Sequence, residues 1–109
     1  MKTIYIAGKV SGEPLAECTM KFGMAQKKIE ALGFNVVNPL ALIEDCNTPW
    51  DVAMKKCIGA LVNCDAVVLL PCWQNSNGAK IEHQLADDLN IPVFNFHDKG
   101  LQVMVKNLQ

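Results

Sequence analysis

The residues best suited to chemistry form a short run in which Ser76, Gly78 and Glu82 follow turn-forming residues. The run continues as a predicted helix, so Glu82 lies about one turn into that helix. On a helical wheel Glu82 falls on the side that carries small and apolar residues, namely Gly78, Leu85, Ala86 and Leu89. A carboxylate on an inward face needs a partner or a use. Glu82 is therefore the candidate catalytic residue, and a structural carboxylate paired with Lys9 or a backbone amide is the alternative.

The start of the same helix could hold an anion. Ser76 can cap the helix, and the free N–H groups of the first turn, near Asn77 and Gly78, favour negative charge. An ordinary N-cap, which every helix needs, is the alternative interpretation.

A second candidate for anion binding is the glycine-flanked segment of residues 8–12, Gly-Lys-Val-Ser-Gly. The N–H groups near Gly8, the Lys9 ammonium and the Ser11 hydroxyl could hold an anion or a sugar hydroxyl. The segment is neither a Walker A loop nor a dinucleotide fingerprint. A plain strand-to-helix turn is the alternative.

Trp73 precedes the Ser76 segment and could stack on a flat base, although packing in the core is the more common fate of a tryptophan. The other tryptophan is Trp50. His83 projects about 100° away from Glu82 around the helix and is predicted to be solvated.

Strands and helices alternate along the chain and must position these residues. Residues 3–7 predict a strand, and Pro14 suits the first turn of the helix that follows. Its buried face is predicted from apolar spacings of three and four at Leu15, Cys18, Phe22, Ala25, Ile29 and Leu32. Gly33 predicts the helix end, and residues 34–37 predict a strand that stops at residues 38–39.

Residues 40–48 are predicted to form a loop. Thr48 as N-cap, Pro49 at the first position and Asp51 at the third then predict a helix start. The apolar side of this helix carries Met54, Cys57, Ile58 and Leu61.

Asp65 introduces residues 66–70, a continuous apolar run that predicts a strand covered on both faces. A helix over residues 78–89, a strand over 91–96 and a short helix over 99–108 complete the pattern.

This alternation predicts one α/β domain over residues 1–109, a small flavodoxin-like (Rossmann-like) parallel sheet of four to five strands with helices on both faces. Ligands of such sheets bind beyond the carboxyl ends of the strands. Residues 8–12, 38–40 and 71–78 are therefore expected to meet at one rim.

Composition limits the classes of partner. The chain has 109 residues and a formal net charge of -1, which argues against a nucleic-acid or membrane partner. No apolar run approaches the roughly 20 residues of a membrane span. No metal or other cofactor is expected. The odd number of cysteines, without a Cys-x-x-Cys pair, predicts buried, reduced thiols in the cytoplasm at Cys18, Cys46, Cys57, Cys64 and Cys72.

Three stretches together resemble a known family: residues 5–12, 64–73 and 76–82. They resemble the small DUF4406 family of bacteria and their phages. That family is similar to the nucleoside 2-deoxyribosyltransferases and the 2-deoxynucleoside 5'-monophosphate N-hydrolases. The similarity runs from Thr3 to about Phe96.

The resemblance implies a role for each matching residue. Glu82 matches the glutamate that attacks the anomeric carbon of the deoxyribose and forms a covalent glycosyl-enzyme. Ser76 matches a position that binds the 5' end of the nucleotide, with Gly78 giving close backbone approach. Tyr5 and Gly8 match residues that frame the sugar and base. Members are homo-oligomers, and a neighbouring subunit often completes the site.

Two positions depart from the pattern. Cys57 stands where the superfamily usually carries an aspartate that helps to handle the leaving base, and a thiol substitutes poorly for that carboxyl group. Cys72 stands where relatives often have glycine before the tryptophan.

Three hypotheses follow. The first is N-glycosidic bond chemistry on a nucleoside or nucleotide through Glu82. The second, motivated by Cys57, is a nucleotide-binding module without turnover. The third is a purely structural oligomerising protein.

Overall fold

The structure is a computed structural model that describes residues 1–43, 45 and 47–108. Strands and helices alternate in the order β1 (Thr3–Ala7), α1 (Leu15–Ala31), β2 (Asn35–Val37), α2 (Pro39–Leu42), α3 (Trp50–Leu61), β3 (Ala66–Leu69), α4 (Asn77–Asp88), β4 (Val93–Asn95) and α5 (Asp98–Leu108). A 3₁₀ turn over Trp73–Asn75 leads into α4.

The strands form a four-stranded sheet in the order β2-β1-β3-β4, and every neighbouring pair is parallel. In the register, Tyr5 lies opposite Val37 on one side and Val67 on the other. The predicted α/β fold is confirmed, and the described strands number four. Because all strands run the same way, their carboxyl ends meet at one rim.

Helices cover both faces of the sheet, as predicted. Helices α1 and α5 cover one face, and their packed residues include Ile4, Ile6, Phe22, Ala25, Ile29, Leu101 and Met104. Helices α3 and α4 cover the other, with Tyr5, Ala7, Cys57, Leu61, Ala79 and Ala86. Alternate residues of β3 enter the two clusters, so the strand is buried on both faces.

Local signals explain several element ends. Gly33 takes a φ of +96°, the left-handed conformation expected where α1 stops. The amide of Thr3 donates a hydrogen bond of 2.8 Å to the Asp65 carboxylate, which ties the starts of β1 and β3 together. Nδ1 of His97 accepts a hydrogen bond from the Gly100 amide and so caps α5.

The region between β2 and α3 differs from the prediction. Residues 40–42 belong to α2. The Asn38 side chain accepts a hydrogen bond from the Leu40 amide and so caps this short helix. Thr48 does not cap α3, since its hydroxyl donates to the Asp45 carbonyl and Pro49 takes the N-cap position. Glu44 and Cys46 lie outside the described residues, so the loop and thiol predictions are not assessed there.

Helix α1 also differs at its start. Pro14 is the N-cap rather than the first helical residue, and Leu15 is 60% exposed, so its predicted place on the buried face is wrong. The described cysteines have free thiols: Cys18, Cys57 and Cys64 are buried and Cys72 is half-buried. Among the described helices, none is both long enough and apolar enough to cross a membrane.

Candidate functional site

Glu82 of α4 and Tyr5 of β1 form a buried hydrogen-bonded pair. The Tyr5 hydroxyl donates to Oε2 of Glu82, and the two side chains are 0% and 5% exposed. The inward orientation predicted for Glu82 is confirmed, and its partner is Tyr5 rather than Lys9 or a backbone amide. Burial raises the pKa of Glu82 to about 7, although the Tyr5 hydrogen bond acts in the opposite direction.

Cys57 of α3 is the third member of this group. Its thiol neighbours the Tyr5 hydroxyl within the same packed cluster. Burial raises the pKa of Cys57, and the interaction with Tyr5 partly offsets that rise. Burial and the neighbouring Glu82 also raise the pKa of Tyr5, which therefore stays protonated and acts as the donor. We call Tyr5, Cys57 and Glu82 the buried group.

An open cavity lies at the carboxyl rim of the sheet, next to the start of α4. Its volume is about 390 Å³. We call it the Lys9 cavity, and its lining residues are Lys9, Ser11, Trp50, Asn75, Ser76, Asn77 and Gly78. The cavity therefore combines one ammonium group, hydroxyl and amide side chains, and one indole.

The start of α4 presents backbone donors to the Lys9 cavity. Oγ of Ser76 accepts a hydrogen bond of 3.1 Å from the Ala79 amide, so Ser76 caps the helix as predicted. The amides of Asn77 and Gly78 precede that capped position, and first-turn amides have no partner within their own helix. Together with the positive end of the helix dipole, they suit an anion.

The backbone of Lys9 is fixed from two sides. Its amide donates to Sγ of Cys72 at 3.2 Å. Nζ of Lys21 donates to the Lys9 carbonyl and to the same sulfur, each at 3.1 Å. The Lys9 side chain is left at the cavity. Gly8, just before it, packs closely on Leu70, because a Cβ there would lie 2.9 Å from Cδ1 of Leu70 and would force that side chain to move.

The predicted site residues thus fall into two sets at the rim. Lys9, Ser11, Ser76, Asn77 and Gly78 line the Lys9 cavity together. Tyr5, Gly8 and Glu82 are buried and are not among its lining residues. Gly78 connects the sets, since it lines the cavity and lies one helical turn before Glu82.

Trp73 lies away from the Lys9 cavity. Its ring meets the His83 ring edge-on, with 4.7 Å between centroids. Both line a groove of about 590 Å³ that also contains Asp87 and the residues leading into β4. The His83 side chain is 30% exposed there, with Nε2 at 3.5 Å from Oδ2 of Asp87, so it is partly solvated. His83 does not line the Lys9 cavity, in agreement with its predicted direction away from Glu82. Trp73 also packs against the cluster that contains Tyr5, which is the alternative predicted for it, and its stacking role stays a prediction.

Trp50 is the site residue that sequence reasoning missed. It is 49% exposed and lines the Lys9 cavity. A signal was available, because a helix that leads into a parallel strand begins at the carboxyl rim of the sheet. Trp50 is the first residue of such a helix, α3.

Within the described part of the chain, no three His, Cys, Asp or Glu side chains come together as a metal site requires. The donors of the Lys9 cavity are suited to an anion instead.

The family model whose description reads "domain of unknown function (DUF4406)" matches residues 2–95. The chain belongs to the DUF4406 family. The matched span ends at the last residue of β4 and includes the buried group and every lining residue of the Lys9 cavity. Helix α5 lies beyond the matched DUF4406 span. No curated protein matches the chain.

Proposed function

We propose that this protein cleaves the N-glycosidic bond of a nucleoside or nucleotide, by hydrolysis or by 2-deoxyribosyl transfer, with Glu82 as nucleophile. One observation carries the proposal. A buried carboxylate held by a tyrosine hydroxyl lies one helical turn from a cavity whose donors suit a phosphate. The resemblance of residues 76–82 to the deoxyribosyltransferase and N-hydrolase pattern supports the same reaction.

The chemistry follows from the properties of Glu82. Its carboxylate attacks the anomeric carbon as the C–N bond to the base breaks, and the departing base takes up a proton from water. Water or a second base then attacks the glycosyl-enzyme, gives up a proton and frees the Glu82 carboxylate. Tyr5 holds one carboxylate oxygen and leaves the other for attack. Because the pKa of Glu82 is about 7, the attacking form grows as the pH rises through neutrality.

The Lys9 cavity would hold the 5' end of the substrate. The Lys9 ammonium, the Ser11 hydroxyl and the α4 amides suit a 5'-phosphate, which would place the sugar near Gly78. The proposal includes no metal or other cofactor, no nucleic-acid or membrane partner, a cytoplasmic location and a homo-oligomer.

The test is release of free base from purine and pyrimidine deoxynucleosides and their 5'-monophosphates, followed by chromatography. We expect Glu82→Gln to lower the rate by about 10³-fold or more, since it removes the nucleophile and keeps the shape. Glu17→Gln, an exposed change on α1, is the matched control. Equal rates for the parent protein and Glu82→Gln would sink the proposal.

A second candidate function is binding of the same ligands without turnover. It is favoured by Glu82 being absent from the cavity lining and by Cys57 standing where the resemblance places an acid. This candidate predicts a thermal shift with a 5'-monophosphate and no free base. A ligand at 100 times its Kd stabilises the folded state by about 2.7 kcal/mol. Detection of free base that depends on Glu82 would exclude it.

A further inference from the structure

We propose that Trp50 is a specificity-determining residue, which stacks on the planar base of the ligand and makes the Lys9 cavity selective for purine 5'-monophosphates. The inference rests on the proposed function, because it concerns the same cavity. It begins from an exposed aromatic ring: Trp50 is 49% exposed and lines the cavity beside Lys9 and the start of α4.

Packing among the residues that the structure describes does not explain why a tryptophan stands at this position. Trp50 belongs to neither hydrophobic cluster, whereas Trp73 packs against the cluster that contains Tyr5 and Leu69. The apolar contacts of α3 with that cluster are made by Cys57 and Leu61, further along the helix. An indole with so much exposed area beside a polar cavity offers a flat surface to a ligand.

The lining of the cavity offers two kinds of chemistry. Lys9 and the amides near Gly78 suit an anion, whereas the Trp50 ring suits a flat, polarisable ring. A ligand that satisfies both carries a phosphate and an aromatic heterocycle, as a nucleoside monophosphate does. The volume of about 390 Å³ lies within the range of about 300–1,000 Å³ for small-molecule sites.

Ring size then gives the direction of the selectivity. A two-ring purine covers more of the indole than a one-ring pyrimidine, and stacking strength grows with overlap. A sugar phosphate, which has no ring to stack, should depend on Lys9 and not on Trp50. The Trp50 contact therefore separates base recognition from phosphate recognition.

The experiment measures binding in a Glu82→Gln background, so that the ligand is not consumed. Calorimetry compares the affinities for dGMP, dTMP and ribose 5-phosphate between the Glu82→Gln protein and the double variant that also carries Trp50→Ala. We expect Trp50→Ala to weaken dGMP binding by about fivefold or more, dTMP less, and ribose 5-phosphate by less than about twofold. Equal loss for all three ligands, or no loss for dGMP, overturns the inference.

Fluorescence supplies a second readout, because the chain has only two tryptophans. In Trp73→Phe the remaining indole is Trp50, and dGMP should quench it while ribose 5-phosphate does not. In Trp50→Phe the remaining indole is Trp73, and dGMP should leave it unchanged. Quenching confined to Trp73 would contradict the assignment.

The outcomes distinguish this inference from the proposed function. If base is released or dGMP binds, and Trp50→Ala binds dGMP as tightly as the parent, only the role of Trp50 fails. If no monophosphate binds the parent protein, this inference fails, and the proposed function fails with it only if no base is released from the deoxynucleosides either. Trp50→Ala should fold normally because the residue lies outside both hydrophobic clusters, and circular dichroism checks this.

Discussion

The Lys9 cavity and the buried group are neighbours along α4, yet they are opposite environments. The cavity is open, its lining includes a cation and the first residues of α4, and the capping residue Ser76 is half-buried. The buried group is almost closed to solvent, and its carboxylate accepts a hydrogen bond from the Tyr5 hydroxyl. The first environment suits binding of charge and the second suits adjustment of a pKa. Under the proposed function, one helical turn of α4 would separate ligand recognition from the reacting carboxylate.

The largest expected effect concerns the buried group, and it is a decrease of the free energy of unfolding as the pH rises. Burial raises the pKa of Glu82 from 4.5 to about 7. Because the folded pKa is the higher one, the stabilising contribution is complete below the unfolded pKa and is lost as the pH rises through about 7. We expect the free energy of unfolding to fall by up to about 3 kcal/mol between pH 4.5 and 8. Urea denaturation across this range measures it.

Glu82→Gln provides the control for that experiment, since its neutral amide cannot titrate. The variant should lack this pH-dependent decrease and should be more stable than the parent at pH 8. A decrease of the same size in both proteins would mean that groups other than Glu82 cause the pH dependence. The buried group would then not differ from the rest of the protein in this respect.

Removal of the Tyr5 hydroxyl should have the next largest effect on the free energy of unfolding. Tyr5→Phe leaves the Glu82 carboxylate buried without its hydrogen bond, at a cost of about 2 kcal/mol at pH 8. At pH 5, where Glu82 is protonated in the folded state, the cost should be smaller. Denaturation at the two pH values tests this, and phosphate binding at the Lys9 cavity should be unaffected. A cost that does not change with pH would mean that packing, not charge, dominates at Tyr5.

Lys9→Met should act on the cavity alone. Loss of the ammonium should weaken binding of a 5'-monophosphate by about tenfold at low salt, and by less at high salt because ions screen the charge. Calorimetry at two salt concentrations measures this. Lys27→Met, an exposed change on α1, should change neither affinity nor stability.

The smallest expected effect separates the two serines of the cavity. Ser76→Ala removes the cap of α4 and should lower the free energy of unfolding by about 1 kcal/mol. Ser11→Ala, at an exposed position with no capping role, should stay within about 0.5 kcal/mol of the parent protein. Thermal denaturation compares them. Equal losses would show that Ser76 contributes no more than an ordinary surface hydroxyl.

Local rules predicted much of the fold and of the cavity. The unbroken apolar run of β3, the Gly33 helix end and the Ser76 cap each depend on a few adjacent residues, and the structure confirms them. The inward orientation of Glu82 followed from helical periodicity. Short-range chemistry is therefore enough to locate the helix start and the direction of the carboxylate.

Pairings across the fold were harder to predict. Tyr5 and Glu82 are 77 residues apart in sequence, so no local pattern joins them. The position of Trp50 was also hard to predict, because no local pattern joins it to Ser76, whereas the crossover geometry brings the start of α3 to the cavity. Trp73 packs against a hydrophobic cluster, which is the alternative predicted for it. The prediction that Thr48 caps α3 was wrong because its hydroxyl donates a hydrogen bond to the nearby Asp45 carbonyl instead.

The thiol of Cys72 is a site at which the Lys9 segment could be perturbed by chemical labelling. It receives the Lys9 amide and the Lys21 ammonium, and through Lys21 it also helps to hold the Lys9 carbonyl. A bulky thiol-directed label on this half-buried residue would displace both donors and release the segment that carries Lys9. Labelling after purification would then alter the cavity without a mutation, while the buried Glu82 and Tyr5 keep their hydrogen bond.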